Sequence, residues 1–174
     1  MSAWYKRVEF LANLAIIAVA LVLGAVLVKR YLWPATPQPL AVERAQIKPG
    51  TKLSLPGVDW NKGDRTLLLV LSTTCRFCTE SAPFYQRLAQ ENAKNGGVSL
   101  IALLPQSVGE SQKYLNDLGV SIDDIRQAPL DAVKATATPT LIMVDRTGSV
   151  TESWVGKLPA EKEVEVLSRF VGQR

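Results

Sequence analysis

The chain contains no histidine and only two cysteines, Cys75 and Cys78. Zinc takes four cysteine, histidine or carboxylate ligands, and two thiols without a histidine leave that set half filled, so no metal is expected. From Gly50 onward there is no excess of charge either, because 14 basic residues face 14 acidic ones. No basic stripe with interleaved aromatics occurs in that part, which argues against a nucleic-acid partner. Internal repeats are absent, and the single biased stretch is a proline-rich one around Pro34, Pro37 and Pro39.

What charge excess exists lies at the start. Lys6, Arg7, Lys29, Arg30, Arg44 and Lys48 face only Glu9 and Glu43 in the first 49 residues, a local charge of +4. Between them, residues 10–28 form a run of 19 without a charge, in which Asn13 is the one strongly polar side chain. At 1.5 Å per residue such a run nearly spans a hydrocarbon core of about 30 Å, and Tyr31, Leu32 and Trp33 extend it. Trp4 and Tyr5 at one end and Tyr31 and Trp33 at the other suit the two interfaces. A cleaved signal peptide is the competing reading, but the run exceeds the usual apolar region and ends in Lys29-Arg30 rather than at small residues. A retained anchor is therefore expected over 10–33, after a short cytoplasmic head at 1–9. Flanking charges nearly tie for orientation. A small head and a large body suit an N-in anchor in the inner (plasma) membrane, with the body in the periplasm or outside the cell, where a dithiol can cycle through its disulfide. A stiff proline-rich linker is expected over 34–47.

Both cysteines sit in Thr73-Thr74-Cys75-Arg76-Phe77-Cys78. The apolar run 67–71 before them reads as a buried strand, and the segment after them reads as a helix with Phe77, Phe84, Tyr85 and Leu88 on one face. The first N–H groups of a helix are unpaired and its dipole is positive there, so a thiolate at that end is stabilised. That draws a cysteine pKa from about 8.5 toward roughly 3.5–7.5. A second sulfur one turn on reaches back to close a small disulfide. Redox exchange is the leading reading. An inert structural disulfide competes, though so short a loop yields little chain-entropy stabilisation. Two buried thiols acting as small hydrophobes are the other alternative.

Further along, Lys48-Pro49-Gly50 marks a domain start, and the domain is expected over 48–174. Short edge strands are expected at 52–55 and 58–60. The central strand takes 67–72, and a helix takes about 76–93, kinked by Pro83 and ended by Gly96-Gly97. A second strand covers 98–104 and a helix 109–118. The segment 125–134 is ambiguous because of Pro129. A strand over 140–145 turns at 146–148 into a hairpin partner over 149–155. A last helix over 160–171 turns Val164, Leu167, Phe170 and Val171 inward. This order indicates an α/β domain with a mixed sheet.

Cys75-Arg76-Phe77-Cys78 after a strand, Pro83 in the following helix, and Thr138-Pro139-Thr140 opening the next-to-last strand together resemble the thioredoxin fold, a mixed sheet flanked by helices. Over about 48–172 the chain is similar to membrane-anchored, extracytoplasmic thiol–disulfide reductases (TlpA-like). The resemblance implies that Cys75 attacks a substrate disulfide and that Cys78 resolves the mixed disulfide. It implies a cis Pro139 packed against the cysteine pair, with Thr138 offering its backbone to a substrate peptide. Read from residues alone, Pro139 is a proline at a strand start. The chain departs from the family at Thr74, where tryptophan is usual, at Leu69, where thioredoxins carry a buried aspartate, and at Ser81, where many TlpA-like members have glutamate, with Glu80 one residue earlier. Arg76 is a cation beside Cys75, expected to favour the thiolate and tune its pKa, unless it is solvated and screened.

The expected function is a thiol–disulfide oxidoreductase that reduces protein disulfides, takes electrons from a membrane donor and holds no cofactor of its own. A non-catalytic, anchored interaction module is the alternative. A peroxiredoxin-type peroxidase is disfavoured, because Leu68 and Ser72 fill the proline and threonine positions of that group's Pro-x-x-x-Thr-x-x-Cys pattern.

Overall fold

The computed structural model describes Glu9, Leu14, residues 16–24 and residues 46–171. The chain divides into two compact units, 1–41 and 42–174. In the first, Glu9, Leu14 and residues 16–24 are helical. Among the described residues no helix is long and apolar enough to cross a membrane. The rest of the head, anchor and linker expected over 1–9, 10–33 and 34–47 lies outside the described residues, apart from 46 and 47.

In the second unit, strands β1 (Arg65–Val70), β2 (Val98–Leu104), β3 (Asp124–Gln127), β4 (Thr140–Asp145) and β5 (Val150–Val155) form one sheet in the order β3-β2-β1-β4-β5. β1 pairs parallel with β2 and antiparallel with β4, β3 is parallel to β2, and β5 is antiparallel to β4. The sheet is thus mixed, and the fold is thioredoxin-like. Residues 67–71 form an unbroken apolar run because both faces of the sheet are covered there.

Alternate residues of β1 and β2 feed two cores. Leu67, Leu69, Leu71, Ala102 and Leu104 face Cys78, Phe84, Tyr85, Leu88, Leu115 and Val166, which come from helices α1 (Arg76–Glu80), α2 (Ala82–Asn95), α3 (Val108–Asp117) and α4 (Ala160–Val171). Leu68, Val70, Ile101 and Leu103 face Ile47, Leu53, Leu55, Val133 and Ala135. An extended segment and a 3-10 turn at Leu130–Val133 cover that second face.

Several sequence expectations need correction. The edge strands at 52–55 and 58–60 do not form: Lys52 makes a single bridge to Ser149, and Trp60–Lys62 is a 3-10 turn capped by the Asp59 carboxylate. Pro83 does not kink one helix. The chain breaks at Ser81, and Pro83 sits in the first turn of α2, where its missing N–H has no partner to lose. The ambiguous stretch around Pro129 resolves into β3 and the 3-10 turn that follows. Phe77 is 54% exposed rather than sharing the buried face of Phe84, Tyr85 and Leu88. On α4, Val164 is 60% exposed, while Val166 is fully buried and Leu167 packs partly against the core. The side chains of Phe170 and Val171 lie outside the described residues.

Gly96 ends α2 with φ 65°, in the left-handed region that glycine enters at no steric cost. α3 opens with a reciprocal cap: the Ser107 hydroxyl accepts from the Glu110 N–H, and the Glu110 carboxylate accepts from the Ser107 N–H.

Two truncations separate the true inner face from the expected one. Leu88→Ala removes a fully buried side chain and should cost about 2–5 kcal/mol. Val164→Ala should stay within about 0.5 kcal/mol. Urea unfolding of the full chain measures both, and comparable losses would refute the burial pattern.

Candidate active site

β1 delivers the site. Its partner in register, β2, runs parallel, so the C-terminal ends of both strands reach the same edge of the sheet. Leu71 continues the pairing, its N–H donating to the Leu103 carbonyl at 2.9 Å. Ser72, Thr73 and Thr74 then leave the sheet, and Cys75 caps α1 with extended backbone angles. Its Sγ accepts from the Cys78 N–H at 3.3 Å. In its thiol form the same sulfur donates to the Thr138 carbonyl at 3.3 Å. The Thr138–Pro139 peptide is cis. The Pro139 carbonyl accepts from the Gly156 N–H at 2.7 Å, tying this loop to the end of β5. The structure thus brings together Cys75, Cys78, Thr138 and Pro139, four of the five residues singled out in the sequence.

The two thiols sit in unlike surroundings. Cys75 is half-buried, whereas Cys78 is wholly buried. Burial alone would raise Cys75. Against it act the Cys78 thiol, the Thr138 hydroxyl and the backbone N–H groups of Cys78 and Phe77, which together hold Cys75 below the ordinary thiol value. Burial, with the Cys75 sulfur alongside, pushes Cys78 up to about 12. One sulfur is prepared as a nucleophile and the other is kept protonated.

Arg76, the fifth residue, is placed differently. Its side chain is 86% exposed, and its Nε donates to Glu80 Oε1 at 2.6 Å. The groups that lower Cys75 are hydrogen-bond donors around the sulfur, not the guanidinium. Glu80 also accepts from Lys157 Nζ at 2.8 Å. Lys157 and Arg76 hold its carboxyl below the usual range. Glu80 therefore points outward to two cations, not inward to Cys78. At the next position, the buried Ser81 Oγ lacks a hydrogen-bond partner among the described residues, as does Tyr85 Oη one turn on.

Gln106 escaped the sequence reading. Its Oε1 accepts from the Thr73 N–H at 3.4 Å and its Nε2 donates to Ser72 Oγ at 3.3 Å, bracing the turn that leads into Cys75. The available signal was its place just past Pro105 at the end of a strand parallel to β1. Among the described residues no cluster of three or more metal-ligating side chains occurs.

A protein-family model described as Redoxin matches residues 46–169. The chain belongs to the redoxin family. No curated relative matches it. Among solved structures, a thiol:disulfide interchange protein of the thioredoxin family from Chlorobium tepidum is 17% identical, with TM-score 0.55, over 74% of this chain and 100% of that one. The thioredoxin domain of a thiol-disulfide oxidoreductase from Bacteroides vulgatus is 15% identical, with TM-score 0.53, over 72% and 99%. A thiol-disulfide isomerase from Corynebacterium glutamicum is 13% identical, with TM-score 0.53, over 74% and 94%. At these identities the likeness is one of fold. Family membership and the thiol pair at the end of β1 make this redoxin an enzyme, a thiol–disulfide oxidoreductase of the thioredoxin-like type.

The unequal thiols have two measurable consequences. Iodoacetamide should consume one thiol per molecule at pH 7, with a reactivity midpoint below about 8.5, and Cys75→Ser should abolish that uptake. Two thiols reacting at equal rates would contradict the geometry. Cys78 ionises near about 8.5 in an unfolded chain but keeps its proton up to about 12 when folded. Across that window the unfolded state binds fewer protons, so stability falls as pH rises. Tyr85, also raised by burial, adds to the slope. The melting temperature of the reduced protein should drop over this range, and less so in Cys78→Ala. Identical alkaline slopes would refute the assignment.

Proposed function

We propose that this redoxin is a membrane-anchored enzyme that reduces protein disulfides outside the cytoplasm through a Cys75–Cys78 dithiol/disulfide cycle. The observation that carries the reading is the pairing of a half-buried, donor-stabilised Cys75 with a buried Cys78 held at about 12. The anchor is supported by the uncharged run at 10–28 with aromatic residues at both ends. With such an anchor, electrons come from a membrane donor, because the thiol pair must be reduced again after each turnover.

The Cys75 thiolate attacks one sulfur of a substrate disulfide, and the other substrate sulfur leaves as a thiolate that takes a proton. Cys75 is then joined to the substrate. Burial keeps Cys78 protonated at pH 7, so little of it is thiolate. It is held next to the bond it must attack, and effective molarities for such oriented groups reach about 10⁵–10⁸ M. Its sulfur attacks Cys75, the second substrate thiol is released, and Cys75–Cys78 becomes the disulfide. Thr138, whose carbonyl touches Cys75 Sγ, and Pro139 line the place where the substrate chain lies.

The reduction potential of the pair tests the direction of flow. Equilibration of the full chain with glutathione or dithiothreitol buffers should give a value near that of thioredoxin, about −270 mV. A value near −120 mV would mark an oxidant and overturn the reductant reading. Cys78→Ser should trap substrates as mixed disulfides on Cys75. A pair that refuses to exchange with either buffer would leave an anchored interaction module in place of the enzyme.

A further inference from the structure

We propose that the site selects disulfides flanked by carboxylates, with Arg76 and Lys157 as the recognising cations. This rests on the exchange activity proposed above and names the substrate class for that same site. Four segments meet around Cys75. Thr138 lies on its sulfur, Gln106 bridges Ser72 and Thr73, Gly156 bonds Pro139, and Lys157 reaches the end of α1. Residues 72–77, 105–107, 137–139 and 156–158 contain two cations, Arg76 and Lys157, and no carboxylate. Glu80 and Glu110, three residues beyond two of these segments, are both engaged. Glu80 is shared between Arg76 at 2.6 Å and Lys157 at 2.8 Å, and Glu110 folds back on Ser107 at the start of α3.

One carboxylate between two cations leaves a net positive charge beside the nucleophile. Arg76 adds geometry to that charge. It bonds Glu80 through Nε, and among the described residues its two terminal Nη groups bond nothing. Those groups are the fork that grips a carboxylate, on a side chain 86% exposed and one residue from Cys75. A substrate carboxylate placed near its disulfide gains this partner without breaking the contact to Glu80. Exposed Phe77, the other residue between the cysteines, supplies apolar surface but no opposing charge.

The test uses two small disulfides of opposite charge, oxidised glutathione (anionic) and cystamine (cationic), as oxidants of the reduced full chain. In each reaction the Cys75 thiolate opens the disulfide, and one half leaves as a thiolate that takes a proton from solvent. Cys78 then attacks Cys75, its proton passing to solvent, and the second half leaves as a thiolate that takes a proton from solvent. The ratio of the two second-order rate constants cancels any change in the reactivity of Cys75 itself. Arg76→Gln and Lys157→Gln should each lower the glutathione-to-cystamine ratio about threefold, and Glu80→Gln should raise it about threefold. Salt at 1 M should shrink all three effects, since the screening length falls to about 3 Å. Ratios that ignore these substitutions, while both disulfides still react, overturn the charge selection and leave the exchange activity standing. Failure of both disulfides to oxidise the protein overturns the exchange activity, and the selection with it.

Discussion

The Cys78 N–H pointing at Cys75 Sγ is the contact on which the site depends. It exists only because the chain leaves β1 and enters α1 within a few residues, so the first turn of the helix wraps the sulfur that caps it. The same turn carries Cys78 inward, under Phe84, Tyr85 and Leu88. One backbone geometry thus creates both environments. Donors collect around the first sulfur and hydrocarbon around the second, and the two thiols part in acidity without any charged side chain between them.

Packing makes that geometry rigid. β1 is buried on both faces, with odd-numbered leucines on the helical core and even-numbered residues on the other. A strand held from both sides cannot slide, because a one-residue slip would exchange its two faces. Gln106 from the parallel neighbour braces the turn, and the loop at Thr138–Pro139 closes over the sulfur from the antiparallel neighbour. The cysteine sits where three adjacent strands can each contribute a loop.

Much of this was legible in the sequence, for local reasons. Strands β1, β2 and β4 announce themselves by apolar runs at their centres because both faces of the sheet are covered there. The cysteine spacing and the threonine–proline pair are short-range patterns, and the chain brings them together. What was not legible depended on long-range partners or on phase. Val164 and Val166 are both apolar on an amphipathic helix, and only its docking against α2 decides which one is inward. Pro83 reads as a kink until Ser81 is seen to end one helix and begin the next. Lys157 meets Glu80 across 77 positions, which no local pattern encodes. Arg76 adjoins Cys75 in sequence, yet its side chain pairs with Glu80 one turn on and is not among the groups that lower the Cys75 thiol.

The complete burial of Cys78 bears on how long a covalent complex lives. Thiols dissolved in the surroundings have no route to that sulfur, so Cys78 is kept from side reactions while the half-buried Cys75 stays open to exchange. A client on Cys75 therefore has two exits, one from within through a partner that nothing outside can block, and one from solvent through whatever thiol reaches the shared bond.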